Sequence, residues 1–123
     1  MKTVYARMAA GAALCFTAGI AFAQTQLQLN QQAAGRLALQ NRKMQTQLYA
    51  LKSALGADQQ KLLSGAQRAW LRYRTAEAAL LASKASGGSM YPMLYAQAQE
   101  QITAQRLRQL KADAKLFRTE GDL

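Results

Sequence analysis

Leu37, Met44, Leu48, Leu51 and Leu55 follow one another at steps of 7, 4, 3 and 4 residues, the spacing of one apolar stripe on a helix. The pattern predicts a first helix from about Asn30 to Leu55, ended by Gly56 as a residue that accepts positive φ just past a helix C-terminus. Asp58 then stands where a second helix needs an N-cap, and Leu63, Ala66, Trp70, Tyr73, Glu77 and Leu80 or Leu81 recur at steps of 3 and 4. Ser86-Gly87-Gly88-Ser89 is the clearest break in the chain, and Pro92 beyond it fits only the first turn of a third helix. That helix is expected from about Tyr91 to Phe117, with Tyr95, Ala98, Ile102, Leu107, Leu110, Ala114 and Phe117 on its apolar line. Three long amphipathic segments joined by short connections predict an all-α fold, a small antiparallel three-helix arrangement. The Gln-rich stretch from Gln24 to Gln32 either extends the first helix or stays outside it, and Thr119 to Leu123 is expected to fray.

The residues ahead of the first stripe follow a different rule. Lys2 and Arg7 precede an apolar run from Met8 to about Ala21, and Ala21-Phe22-Ala23 places small residues three and one before a cut ahead of Gln24. This is the order of a secretory signal peptide, and the run is short for a membrane span of about 20 residues. The expected organisation is a cleaved signal over 1–23 and a single helical domain over 24–123, periplasmic or secreted, with no transmembrane span after cleavage. Cys15, the only cysteine, leaves with the signal.

Composition sharpens both readings. The full chain has 16 Lys and Arg against 6 Asp and Glu, with no His. Losing Lys2 and Arg7 with the signal leaves 14 basic residues against the same 6 acidic ones, a formal charge of +8 over 100 residues. After the cut there is no valine and one isoleucine, Ile102, while Ala, Leu, Gln, Arg and Lys dominate, all good helix formers. Without His or a retained Cys, the usual zinc sites, His-based triads and thiol redox pairs have no ligands or bases, so neither a metal nor a cofactor is expected. No two acids share an apolar stripe where burial would tune them for acid-base work. A Ser/Lys dyad stays open in the sequence, but the expected protein is not an enzyme. A domain without disulfides must be held by packing alone.

The segment Ala66-Gln67-Arg68-Ala69-Trp70-Leu71-Arg72-Tyr73-Arg74 is the most specific in the chain. On a helix, Gln67, Trp70, Arg74 and Glu77 share one side with Tyr73 next to them. One reading makes Trp70 and Tyr73 the anchor of the core, with Arg74 and Glu77 as a surface pair. The other makes the cluster a recognition site, since Trp, Tyr and Arg dominate interface hot spots. Arg106 puts a charge between Ile102 and Leu110 on an otherwise apolar line, and stacking on Trp70 or pairing with Glu77 would account for it. Gly87 and Gly88 are expected to reverse the chain where a Cβ would strain.

AQRAWLRYR, followed by GGSMYP and then ITAQRLRQL, resembles the N-terminal-type domain of the LprI family of lysozyme inhibitors, over about Thr25 to Leu110. Carried over by position, the family signature falls on Leu63, Gln67, Trp70, Tyr73, Arg74, Gly87, Gly88, Ser89, Thr103, Arg106 and Leu110. The resemblance implies a small exported helical protein that binds and inhibits lysozyme without catalysis. Members of that family commonly carry cysteines, and the corresponding positions here are Gln32, Ala78 and Ala98. Asn41 and Gln45 stand where Asp and Asn are usual, and Leu48 where an aromatic is usual.

Charge constrains how such an inhibitor would work. Animal lysozymes are basic, so a +8 chain needs either a contact surface near Asp113, Glu120 and Asp122 or one that is largely apolar. The alternative function follows from the same charge. Arg36, Arg42, Lys43, Lys52, Lys61, Arg68, Arg72, Lys84, Arg108, Lys111, Lys115 and Arg118 could form a cationic surface for anionic envelope polymers or lipid headgroups. Nucleic acid is not an expected partner, since export separates the two and no aromatic-basic strand motif is present.

Overall fold

The computed structural model describes residues 2–121, and the side chains of residues 18–118. It is all-α: α1 (Lys2–Ser53), α2 (Ala57–Ala82) and α3 (Tyr91–Gly121), with a short 3₁₀ turn over Ser83–Ala85. The side chains of Lys2, Arg7 and Cys15, and those of Glu120 and Asp122 at the expected acidic end, lie outside the described residues.

α1 begins far ahead of the expected Asn30. Between residue 18 and residue 30 the chain is mostly Ala, Gln and Leu, and Gly19, Thr25 and Asn30 are isolated weak helix formers without a Pro, so nothing stops the helix. The open question of the Gln-rich stretch is thereby answered, since Gln24 to Gln32 is helical. α1 passes through Ala21, Ala23 and Gln24 unbroken, and residues 18–25 are exposed.

The α1–α2 turn is built differently from the sequence expectation. Gly56 lies at φ −73 and ψ 171, extended backbone, and serves as the N-cap of α2. Left-handed backbone is unnecessary there because side chains do the capping. The Gln60 amide donates to Lys52 O at 3.1 Å, which also accepts from the Leu55 N–H, and to Leu55 O at 3.0 Å just past the end of α1. The Gln59 Oε1 accepts from the Gly56 N–H at 3.1 Å. Asp58 therefore sits in the first turn of α2 rather than at its cap, where its charge still suits the helix N-terminus. At the other turn Gly87 alone adopts positive φ, at 77, while a Cβ on Gly88 would lie 3.2 Å from the Ala85 carbonyl oxygen. The two glycines thus serve different needs, one conformational and one of close approach. Pro92 falls in the first turn of α3, as its missing N–H requires.

The chain reverses at each turn, so α3 runs parallel to α1, and it packs on both other helices. Its central position follows from the apolar line, which places Ala98, Ile102, Leu110 and Ala114 in the interior. Two clusters result. Met44, Leu51, Leu55, Leu110 and Ala114 fill the end near the α1–α2 turn, with Leu48, Leu63, Trp70 and Phe117 against them. Ala78, Ala98 and Ile102 form the second, with Trp70 and Tyr95. The half of the bundle toward the α2–α3 turn is closed by alanines, since Ala33, Ala78, Ala82, Ala96 and Ala98 are all buried, and such small side chains let helices approach closely.

Trp70 belongs to both clusters and joins them. Tyr73 does not share that role: it is 53% exposed, so the expected aromatic pair at the core is a single tryptophan. Leu80 and Leu81 are also exposed, at 65% and 46%. The inward line of α2 runs instead through Leu63, Gln67, Trp70, Arg74, Ala78 and Ala82, and several of its members are polar or small.

Candidate functional site

Between the two apolar clusters lies a layer of polar side chains contributed by all three helices. Arg74 of α2 donates from Nη1 to Asn41 Oδ1 on α1 at 2.7 Å and to Thr103 Oγ1 on α3 at 3.1 Å. The fully buried Thr103 passes its own proton to Gln99 O at 2.7 Å. The Arg74 guanidinium also lies over the Trp70 ring, 5.0 Å from its centroid, a cation–π contact. Its Nε is buried with no partner. One layer away, Arg106 donates from Nε to Gln67 Oε1 at 3.1 Å and from Nη1 to Gln109 Oε1 at 2.9 Å. The Gln67 amide in turn reaches the Met44 sulfur at 3.6 Å.

Arg106 is buried and Arg74 half-buried, and neither donates to a carboxylate in the hydrogen bonds above. Burial pushes both guanidiniums below the ordinary arginine range, while Tyr95 opposes the shift for Arg74 and Asp113 opposes it for Arg106. The expected roles are therefore exchanged. Arg74, expected as a surface partner of Glu77, holds the three helices together and covers Trp70. Arg106, expected on Trp70 or Glu77, binds Gln67 and Gln109. A guanidinium has donors pointing in several directions in one plane, which suits it to bridging neutral acceptors on different helices.

Two open grooves flank this layer. The first, of about 430 Å³, runs between α1 and α2 and is lined by Leu48, Tyr49, Leu63 and Leu71 together with Gln45, Lys52, Ser64, Gln67 and Arg68. Tyr49 there is 77% exposed. The second, of about 530 Å³, runs between α1 and α3 and has Lys43, Arg108 and Lys111 among its walls.

The family model described as lysozyme inhibitor LprI matches residues 20–110. The chain belongs to the LprI lysozyme inhibitor family. No curated protein and no solved structure matches it. The match spans the polar layer and most of both grooves. LprI proteins are inhibitors rather than enzymes. Among the described residues no group of three or more His, Cys, Asp or Glu is placed to hold a metal, and no helix is long and apolar enough to cross a membrane.

Within this LprI chain the sequence-derived residues part into separate places. Gln67, Trp70, Arg74 and Arg106 face the interior as two adjoining pairs, Arg74 on Trp70 with Thr103 beside it and Arg106 on Gln67. Arg68 is exposed on the rim of the α1/α2 groove, and Tyr73 is exposed on α2. Gly87, Gly88 and Ser89 are exposed in the α2–α3 turn. Ala21, Ala23 and Gln24 are on the exposed start of α1. The positions matched to family cysteines also divide: Ala78 and Ala98 share one buried cluster, whereas Gln32 is exposed. Asn41, Gln109 and Tyr49 are the residues that sequence reasoning did not place in a site, although Asn41 had been marked as a departure from the family pattern.

Proposed function

We propose that this chain is an exported, non-catalytic inhibitor that binds lysozyme through the apolar α1/α2 groove. The family match over residues 20–110 carries the reading. The groove answers the charge objection. Its walls are Leu48, Leu63, Leu71 and the exposed Tyr49, so contact there need not bring many like charges together. Lys52 and Arg68 are its cationic members, and a lysozyme cleft carries a pair of catalytic carboxylates that such cations can face. Two basic proteins can thus associate by local complementarity in spite of their net charges. Export rests on the charged start, the apolar run and the Ala21-Phe22-Ala23 site, with cleavage before Gln24.

The test is inhibition of an animal-type lysozyme by the purified protein, with Tyr49→Ala as the probe. An exposed tyrosine can be removed without disturbing the core, so a drop in inhibition of about tenfold or more with unchanged melting is expected of a groove hot spot. Absence of inhibition at micromolar protein across lysozyme types would refute the function. Full inhibition by Tyr49→Ala would refute the groove assignment.

A further inference from the structure

We propose that the α1/α3 groove is a second binding site, for a linear acidic polysaccharide, and that Lys43, Arg108 and Lys111 hold its carboxylates. The three cations come from two parallel helices and converge on one concave surface. All three are exposed, and no ion pair within 4.0 Å involves them among the described residues, where the pairs are Arg36–Glu100 and Lys61–Asp58. Glu100, which precedes the groove on α3, is already held by Arg36 at 3.9 Å, so the groove keeps its positive field.

The neutral members of the groove select the class of ligand. Gln40, Thr46 and Gln47 stand among the cations and offer amide and hydroxyl groups. The exposed Thr46 hydroxyl donates to Arg42 O at 3.1 Å and keeps only acceptor capacity toward the groove, whereas the Gln40 Oε1 is itself buried and leaves its residue to contribute through the amide nitrogen. An acidic polysaccharide supplies both anions for the cations and hydroxyl donors for such acceptors. Polyphosphate supplies anions alone. A lipid surface is flat, whereas the cations here line an open groove between two helices, and the flanking Leu107 is half-buried rather than free to insert.

This site is distinct from the α1/α2 groove, so it stands or falls separately from lysozyme inhibition. The experiment measures binding of fluorescent alginate oligomers to the purified protein, to the triple variant Lys43→Gln/Arg108→Gln/Lys111→Gln, and to Lys61→Gln/Arg72→Gln/Lys84→Gln, which loses the same charge elsewhere. All three proteins are checked for equal helicity. The groove variant is expected to bind at least about tenfold more weakly and the control variant to change by less than about threefold, with wild-type binding weakened as ionic strength rises from about 0.05 to about 0.3 M. Equal losses in the two variants would overturn the proposal, because they would show attraction to net charge alone. So would the absence of alginate binding, or a groove-dependent preference for polyphosphate or for phosphatidylglycerol vesicles over alginate.

Discussion

Replacing Arg74 by alanine tests whether the polar layer holds the three helices together or is merely tolerated. The substitution removes the donor to Asn41 and to Thr103 and uncovers one face of Trp70. Thr103 retains its bond to Gln99 O, so the uncompensated loss falls on Asn41. A hydrogen bond from a charged donor is worth about 1.5 to 3 kcal/mol, and a partly exposed cation–π contact about 0.5 to 1 kcal/mol. Against these stands the release of an Nε that is buried without a partner, an unsatisfied donor that costs about 1 kcal/mol. The balance is a destabilisation of about 2 kcal/mol, which for a domain of this size lowers the melting temperature by about 8 to 16 °C. Thermal and urea unfolding followed by far-UV circular dichroism measures it. A double-mutant cycle with Asn41→Ala isolates the pair, with an expected coupling of about 1 kcal/mol. Melting of Arg74→Ala at the wild-type temperature or above, or a coupling below about 0.3 kcal/mol, would show that the half-buried charge costs as much as its bonds return and would refute the role of Arg74 as a clamp.

Asn41→Asp gives the same cation an opposite charge and should stabilise the protein by about 1 kcal/mol at neutral pH. The new carboxylate is favoured in its ionised form, so its folded pKa falls below the unfolded value of about 3.9; the gain is present above that value and disappears as pH drops through the folded pKa. A gain of equal size in strong acid would contradict the ion pair. Gly65→Ala, within α2 with nothing within 4 Å of the added Cβ, should raise stability by about 0.5 to 1 kcal/mol. Gly87→Ala, at φ 77, should lower it by about 1 kcal/mol, and melting curves of the two variants moving in the same direction would count against the turn geometry. Mass spectrometry of protein recovered from outside the cytoplasm should find Gln24 at the N-terminus, and an intact Met1 there would exclude the cleavage proposed.

What the sequence made legible depended on how each helix uses its inward face. α1 with its following turn and α3 bury large apolar side chains at helical spacing, so Met44, Leu51, Leu55, Ile102 and Leu110 were placed in the core by spacing alone. α2 turns inward along Gln67, Arg74, Ala78 and Ala82, which a search for apolar residues passes over in favour of Leu80 and Leu81. The side-chain cluster around Trp70 could be read from helical spacing because its members lie within two turns. Its partners could not: Asn41 and Thr103 are 33 and 29 residues from Arg74, and a short polar residue on a helix carries no local mark of the cation it will accept. Gly56 misled for a related reason: it was expected at positive φ, but Gln60, one turn into the next helix, caps the end of α1 from a distance and leaves Gly56 extended.

The position of the two interior-facing guanidiniums also bears on how the charge of the chain is arranged. Arg74 and Arg106 direct their donors to neutral acceptors between the helices, so these donors are not offered to a partner at the surface. The remaining cations are therefore what a partner meets, and the bundle sorts them unevenly. The α1/α2 groove presents four large apolar or aromatic side chains with Lys52 and Arg68, whereas the α1/α3 groove presents three cations among amides and a hydroxyl. Because α1 forms one wall of both, rotation of α1 about its axis would exchange apolar for cationic residues in each groove. The bonds from Arg74 to Asn41 and from Arg36 to Glu100 oppose that rotation, since each ties a defined face of α1 to another helix. The polar layer thus does more than fill the interior. It fixes which face of α1 each groove receives, and loosening it at Arg74 should blur the difference between the two surfaces before the bundle itself unfolds.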